Sequence, residues 1–223
     1  KKIKKIIIFD NSNDINLKNK IAKSYPNIKF ILSEKNLGYG KANNNIIKFC
    51  KSKYLLILNP DTILKKNCES ELLKSINSKI YNFSIIAPIA KEKNFGFFDE
   101  NKNIKGKGFF EVDYVKGFAM LIDKKKIKKV GLFDENFFLY LEEIDLCKRL
   151  LFSNEKIYGN NYAKIIHLGA KSSNLGFEYE KCKSWHWMWS KFYYNKKHKG
   201  YIISLIKTFP TFVFSFLKYF FYI

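Results

Sequence analysis

The residues of this sequence that could bind a metal ion stand close to the ends of hydrophobic runs. Asp61 follows the run Tyr54–Leu58 after Asn59 and Pro60, and His167 ends a later run. A carboxylate at the end of a buried strand is costly unless a cation or a hydrogen-bond donor compensates it. A divalent metal that bridges two phosphates is one such cation, and a neutral imidazole from His167 could complete its site. An N-cap of a following helix explains Asp61 equally well, and a lone histidine is more often structural.

A second group of candidate residues is the acidic cluster of Glu142, Glu143 and Asp145. Apolar residues recur at helical spacing between positions 141 and 150, which places these acids around the start of a helix. The helix dipole stabilises anions there, so capping is one interpretation. A general base is the other, because such a base needs a carboxylate in a cleft within hydrogen-bond reach of a hydroxyl group.

The elements that must position these residues follow an alternating pattern. Strand-like runs are predicted at residues 5–9, 27–32 and 54–58, and helices at residues 17–24, 41–51 and 66–77. Strands that alternate with helices predict an α/β fold with a mostly parallel central sheet flanked by helices. Polar residues collect after the strand ends, at Asp10, in the Gly38 loop and at Asp61, and that edge of an open α/β sheet is where ligands bind.

Two further stretches are less regular. Gly38-Tyr39-Gly40 before a helix suggests a phosphate-binding turn, but neither a dinucleotide fingerprint nor a P-loop is present. Residues 91–111 are predicted as a polar excursion.

Residues 201–223 are apolar and aromatic, with Lys207, Pro210 and Lys218 interrupting them. We expect an interfacial helix or hairpin there rather than a simple membrane span, so the predicted division is a domain at 1–200 and a membrane-associated tail at 201–223.

Composition narrows the class of protein. The net charge is +21, but Arg149 is the only arginine among 41 basic residues. Nucleic-acid readers depend on arginine for bidentate contacts, so no nucleic-acid partner is expected. An anionic membrane surface is the simpler partner for this charge, because each surface lysine contributes ~1 kcal/mol of attraction to anionic lipid. The four cysteines occur singly, which argues against a zinc or disulfide framework and favours a reducing cytosol.

In order along the chain, these pieces resemble the family 2 glycosyltransferases of GT-A fold, especially the rhamnosyltransferase-like branch that builds bacterial surface polysaccharides. The matching stretches lie at residues 10–12, 36–44, 58–61, 117–121, 131–138, 140–149 and 167–172. Each motif is modest alone, and the seven in this order make a specific match over most of the chain.

The resemblance implies a role for each candidate residue. Asp10 matches the contact to the nucleotide base, with Ser12, Gly38 and Asn44 in the same donor-binding stretches. Asn59 would lie near the ribose. The resemblance to the family's metal motif implies that Asp61 and His167 coordinate a Mg²⁺ or Mn²⁺ ion. Glu143 stands where the family carries its catalytic base, usually Asp, and Glu142 and Asp145 are its rivals.

The implied activity is an inverting transfer of a sugar, with rhamnose as one candidate, from a nucleoside-diphosphate donor to a saccharide or polyprenyl-linked acceptor. The expected location is cytoplasmic, peripheral to the inner face of the cell membrane. Family members open with a strand before the one that ends at Asp10, so we expect a fragment whose domain lacks the usual first strand. A catalytically impaired GT-A-like domain that binds a glycan or a partner is the alternative, and a nucleic-acid-binding protein ranks far behind.

Overall fold

The structure is a computed structural model that describes residues 5–77, 82–90, 108–168 and 176–220. The strands are β1 (Ile7–Asp10), β2 (Lys29–Leu32), β3 (Tyr54–Leu58), β4 (Thr62–Leu64), β5 (Phe83–Ala90), β6 (Phe109–Glu111), β7 (Ala119–Asp123) and β8 (Lys156–His167). The helices are α1 (Ile15–Ser24), α2 (Tyr39–Phe49), α3 (Cys68–Asn77), α4 (Lys124–Lys129), α5 (Glu142–Phe152), α6 (Phe177–Lys199) and α7 (Tyr201–Phe220). Most of the excursion predicted at 91–111, and the end of the last matching stretch, at 169–172, lie outside the described residues.

The strands form two sheets. β1 and β2 pair in parallel, and a six-stranded sheet has the order β3-β7-β5-β8-β4 with β6 beside β8. In the larger sheet β5 and β8 are parallel, whereas β7 runs antiparallel to both β3 and β5. The expected α/β class is thus confirmed, and the larger sheet is mixed. Among the described residues β1 pairs with β2 alone.

The core lies on both faces of the central strands. β7 is buried along its whole length and β5 along nearly all of it, which explains why these runs are continuously apolar. One cluster of buried side chains includes Ile85, Met120 and Leu146, and another includes Ile86, Leu121 and Ile165. Successive residues of β5 therefore face opposite layers of the domain, as the two-residue period of a strand requires.

Two local predictions differ from the structure. Thr62 begins a short strand and the next helix begins at Cys68, so the interpretation of Asp61 as a helix N-cap is wrong. The β-branched pair Thr62-Ile63 favours a strand, and pairing with β8 satisfies its backbone. Helix α4 was not predicted because its six residues carry five lysines and a single buried Ile127. Asp123 caps it by accepting hydrogen bonds from the N–H groups of Lys125 and Lys126.

The C-terminal helices form an antiparallel pair. Ser204 donates to the carbonyl of Phe192, and the hydroxyl groups of Ser184 and Tyr219 lie 2.6 Å apart. The buried residues of α7 are the polar Ser204 and Thr208, whereas most of its aromatic and aliphatic side chains are exposed. Within the described residues α7 is the one helix long and apolar enough, by length and composition alone, to cross a membrane.

Candidate active site

Asp61 and His167 meet through the pairing of β4 with β8. The antiparallel register sets Thr62 opposite His167, and the N–H of Leu168 donates to the Asp61 carbonyl at 2.9 Å. Asp61 Oδ2 lies 3.3 Å from His167 Nε2, and both side chains are mostly buried. The expected convergence of these two side chains, 106 residues apart in sequence, is therefore present.

One oxygen of the Asp61 carboxylate lacks a partner among the described residues. Asp61 Oδ1 is buried and has no hydrogen-bond partner in the described part of the chain, and a buried carboxylate oxygen without a partner requires an explanation. No group of three or more histidine, cysteine or acidic residues converges among the described residues. Mg²⁺ and Mn²⁺ fit two protein ligands, because Mg²⁺ usually binds through one or two carboxylates together with substrate phosphates and water.

The segment Gly117-Phe118 joins this pair to the rest of the site. The Phe118 ring stacks on the His167 imidazole with centroids 4.4 Å apart. The Phe118 carbonyl accepts hydrogen bonds from the Asn59 N–H at 2.8 Å and from Thr62 Oγ1 at 3.4 Å. The Gly117 carbonyl accepts from the Tyr39 hydroxyl, which connects the first residue of α2 to the same segment.

Glu143 interacts with the N–H of Gly117 in the same segment, and Glu142 precedes it at the start of α5. Glu142 is 4% exposed, and the Oε2 atoms of both acids are buried without a hydrogen-bond partner among the described residues. Burial and the charge of Glu143 raise the pKa of Glu142 to about 8. Burial also raises the pKa of Glu143, although its own N–H, the Lys116 ammonium and the N–H groups of Ile144 and Gly117 act in the opposite direction. The contact with Gly117 places Glu143 beside the segment that holds His167.

Asp145 has different partners. Its fully buried carboxylate accepts from Arg149 Nε, Lys197 Nζ and His198 Nε2, each at 2.8 Å. Because three cationic or donor groups surround it, Asp145 joins α5 to the end of α6. Its role as a rival base stays a prediction.

The loops predicted to bind the donor are tied together by Asn11. Its amide donates to Asn36 Oδ1 and to the Gly38 carbonyl, and its Oδ1 accepts from the Leu37 N–H. Asp10 accepts hydrogen bonds from Ser12 and Asp14. Burial alone would raise the pKa of Asp10, but these hydrogen bonds lower it below its ordinary value. Asp10 and Ser12 thus form an anionic turn beside the Gly38 loop.

Gly38 and Asn44 contact the segment of residues 133–138, which precedes α5. Gly38 has φ +76°, and a Cβ there would lie 2.3 Å from the Phe138 carbonyl oxygen, so only glycine permits this approach. The Asn44 side chain is buried, exchanges two hydrogen bonds with the backbone of Phe133 and donates to Glu135. These hydrogen bonds engage its amide within the protein, and its predicted contact with a donor stays a prediction. The Asn44 side chain fixes the segment that leads to Glu142.

Several residues of the site were not predicted. Tyr39, Gly117 and Phe118 lie inside the matching stretches but carry no chemical signal of their own. Lys197, His198 and the aromatic residues of α6 lie outside every motif. A sequence gives no sign that a helix 50 residues downstream will pack on the loop before α5, because such packing depends on tertiary contacts.

Solved structures with the same fold are glycosyltransferases of the GT-A type. One is GalNAc-T7 with UDP, GalNAc and Mn²⁺, at a TM-score of 0.61 and 12% identity, covering 73% of this chain and 37% of that chain. Another is the mannosyltransferase PcManGT from Pyrobaculum calidifontis in complex with GDP-Man and Mn²⁺, at a TM-score of 0.61 and 7% identity. That match covers 96% of this chain and 61% of the other. At these identities the similarity shows the fold.

The family follows from the sequence match. The profile described as "Glycosyl transferase family 2" matches residues 1–146, and the chain belongs to this family. It is 29% identical over 211 residues to the rhamnosyltransferase WbbL of Escherichia coli (strain K12), covering 82% of this chain and 78% of that protein. It is 27% identical over 185 residues to the low-salt glycan biosynthesis hexosyltransferase Agl10 of Haloferax volcanii. That match covers 74% of this chain and 59% of Agl10.

Proposed function

We propose that this family 2 glycosyltransferase transfers a sugar, with inversion, from a nucleoside-diphosphate donor to a saccharide on a lipid-linked acceptor in bacterial surface polysaccharide synthesis. The observation that carries the proposal is the Asp61–His167 pair, with one carboxylate oxygen unpartnered in the described part of the chain. The Gly117-Phe118 segment connects this pair to Glu143, because Phe118 stacks on His167 and the Gly117 N–H interacts with Glu143. The similarity to WbbL makes rhamnose a candidate sugar, and the similarity to Agl10 makes another hexose a candidate.

Separate residues of the chain would bind the donor and activate the acceptor. Asp61 and His167 would hold Mg²⁺ or Mn²⁺, which when bound neutralises the charge of the leaving nucleoside diphosphate. Asp10, Ser12, Gly38 and Asn59 would form the walls around the donor, with Asn44 fixing the adjacent segment.

Glu143 is the proposed base. It accepts the proton of the acceptor hydroxyl while that oxygen forms a bond to the anomeric carbon. The bond from this carbon to the diphosphate oxygen breaks, and the nucleoside diphosphate leaves with the electron pair. Attack from the face opposite the leaving group inverts the anomeric centre. The raised pKa of a buried carboxylate suits this role, because a base works best when its pKa lies near the operating pH.

The test compares Asp61→Asn and Glu143→Gln with the surface variant Asp113→Asn. Nucleotide-sugar binding is measured by calorimetry with UDP-, GDP- and dTDP-sugars, each with Mn²⁺ and with a chelator, and turnover is measured by release of the nucleoside diphosphate. We expect Asp61→Asn to lose metal-dependent binding, because it removes an anionic ligand. We expect Glu143→Gln to bind normally but turn over ~10²–10⁴-fold more slowly, the usual contribution of a general base.

Two outcomes would change the proposal. A wild-type chain that binds none of these donors with metal would contradict it and favour the impaired, glycan-binding domain. Near-normal turnover by Glu143→Gln together with an inactive Asp145→Asn would move the base to Asp145.

We also propose that the enzyme is peripheral to the cytoplasmic face of the membrane through α7. Ile202, Ile206 and Phe209 of α7 are each at least 65% exposed, while its polar residues face α6. A helix whose apolar face points away from its own domain fits the membrane interface, and the many lysines add attraction to anionic lipid. Flotation with phosphatidylcholine vesicles containing phosphatidylglycerol should recover the wild type but not the triple serine variant of these residues. Phe152→Ser, at an equally exposed position on α5, should bind like the wild type.

A further inference from the structure

Residues 134–145 form the segment that brings Glu142 and Glu143 to the site, and this segment lies along α6. Ser190 Oγ of α6 donates a hydrogen bond to the Leu139 carbonyl at 2.7 Å. Rings of the segment also contact rings of α6, in the pairs Phe138–His186 and Tyr140–Trp187. Because these contacts follow one another along both elements, α6 supports the segment at several points.

The backbone directly before the two acids has an unfavourable conformation. Tyr140 and Leu141 have φ angles of 72° and 68°, and non-glycine residues in this left-handed region persist only where the surrounding structure enforces them. Leu141 is the N-cap of α5, and its side chain makes no capping hydrogen bond. The start of α5 therefore depends on contacts from elsewhere in the fold. A segment released from α6 would relax at these two residues and would move Glu142 and Glu143.

A single ammonium group joins the two ends of this segment. Lys197 Nζ lies 2.7 Å from Asp134 Oδ2 and 2.8 Å from Asp145 Oδ1. Burial alone would raise the pKa of Asp134, but hydrogen bonds from Lys197 and Asn136 lower it to about 2, so this carboxylate is ionised at neutral pH. The Asp145 side chain is fully buried and that of Lys197 is 28% exposed. Ion pairs removed from water in this way are screened much less than pairs on the surface.

Lys197 differs in this respect from the other partners of the two carboxylates. Among the described residues each of the other side-chain partners contacts one end of the segment: Tyr193 and Asn136 contact Asp134, and Arg149 and His198 contact Asp145. Removing the Lys197 ammonium would therefore separate the two ends from each other while each carboxylate keeps other hydrogen-bond donors. The effect on the course of the segment should exceed the effect on the fold.

We propose that Lys197 is a positioning residue for the reaction. By holding Asp134 and Asp145 together, it fixes the segment that sets the Glu143 carboxylate against the hydroxyl group of the acceptor. The metal pair Asp61–His167 lies at β4 and β8, outside this segment, so the role of Lys197 concerns the base and not the metal. This assignment rests on the proposed function, since it acts through Glu143 as the base.

The test measures turnover by the full chain. The donor probes are UDP-glucose, GDP-mannose and dTDP-rhamnose with Mn²⁺, and the acceptor probe is N-acetylglucosamine linked to farnesyl diphosphate. Lys197→Met keeps a long side chain without the charge, and it should lower kcat by ~10–10²-fold, because a misplacement of about 1 Å can cost that much. The KM for the donor should stay near the wild-type value. Lys197→Arg should recover most of kcat, because a guanidinium group can also pair with carboxylates. Lys196→Met is the matched control, since Lys196 is the preceding, exposed lysine of α6, and it should behave like the wild type.

A double-mutant cycle distinguishes positioning of the base from a general loosening of the fold. In the Glu143→Gln background there is no base to position, so the addition of Lys197→Met should lower kcat little further. Hydrogen exchange followed by mass spectrometry gives a second measurement that does not depend on activity. Exchange in residues 134–145 should be faster in Lys197→Met than in the wild type, and exchange in β4 and β8 should be unchanged.

Three results would overturn the positioning role. The first is an equal fold loss from Lys197→Met in the wild-type and Glu143→Gln backgrounds, and the second is faster exchange throughout the domain, since both would show that Lys197 only stabilises the fold. The third is a wild type that turns over a donor together with an unaffected Lys197→Met, which rejects the positioning role and leaves the proposed function standing. A wild type that neither binds nor turns over any donor rejects the proposed function, and the role of Lys197 in it.

Discussion

Replacing Glu142 by glutamine should change how the stability of the protein depends on pH. The carboxyl group is 4% exposed, and burial together with Glu143 raises its pKa from 4.5 to about 8. In the unfolded chain this group loses its proton near its ordinary pKa, whereas in the folded chain it keeps the proton until about pH 8. The folded state therefore binds more protons between these values, and its stability must fall as pH rises through that window.

The size of the effect follows from the same shift. Each pKa unit corresponds to about 1.4 kcal/mol, so Glu142 alone should cost a few kcal/mol by the time the pH reaches 8. Glutamine has a similar shape and no proton to lose, so it removes this cost. We expect Glu142→Gln to unfold at a higher temperature than the wild type at pH 8, and the difference to shrink towards pH 5.

Thermal unfolding followed by circular dichroism at pH 5, 6, 7, 8 and 9 measures this difference. Glu178→Gln serves as the control, because its side chain is 82% exposed and its replacement should leave the pH profile parallel to that of the wild type. Parallel profiles for Glu142→Gln and the wild type would refute the reasoning, since they would mean that the buried acid does not hold its proton more tightly in the folded state.

Three substitutions test the structural contacts of the site by urea denaturation. Gly38→Ala should destabilise the fold by more than the ~1–3 kcal/mol of a non-glycine residue in this positive-φ, extended region (φ 76°, ψ 173°), because the new Cβ would also meet a carbonyl oxygen at 2.3 Å. Gly200→Ala, at φ +90° with nothing within 4 Å, isolates the backbone contribution, and an equal loss in both variants would contradict the clash. Asn44→Ala should cost ~1–3 kcal/mol by leaving buried backbone groups unpaired, and a loss below half a kilocalorie would show that water replaces the amide. Asp145→Asn should cost ~1.5–3 kcal/mol by weakening charge-assisted hydrogen bonds to Arg149, Lys197 and His198, and unchanged stability would mean that the carboxylate is not the anchor of α6.

The sequence predicted the parts of this fold that depend on local pattern. The runs that became β1, β3 and the second half of β8 are short and apolar, and the acids at 142–145 fell at the start of α5. The resemblance brought Asp61 and His167 together on the same site. Their contact depends on β4, which the sequence did not indicate, because a three-residue strand is too short to show a period.

The contacts made by α6 could not be predicted, for a different physical reason. Tyr193, Lys197 and His198 bind acids that lie more than 50 residues earlier, and nothing in a one-dimensional pattern identifies such partners. Asn44 shows the same limit: it lies in a stretch assigned to the donor, yet its amide is used to hold Phe133. An asparagine amide can form the same hydrogen bonds with a ligand or with backbone groups. Which of them it forms depends on tertiary packing.

The pairing of β4 with β8 also determines where residues could be inserted without separating Asp61 from His167. Because the register fixes Thr62 opposite His167, the separation of Asp61 from the imidazole is set by the backbone ladder and not by the number of residues between the strands. Insertions in surface loops between residues 65 and 155 leave the pair untouched. A single residue inserted between Lys164 and His167 would shift the register by one and turn the imidazole to the opposite face of the sheet. The pair therefore depends on the spacing of these last residues of β8 and not on the length of the loops between the strands.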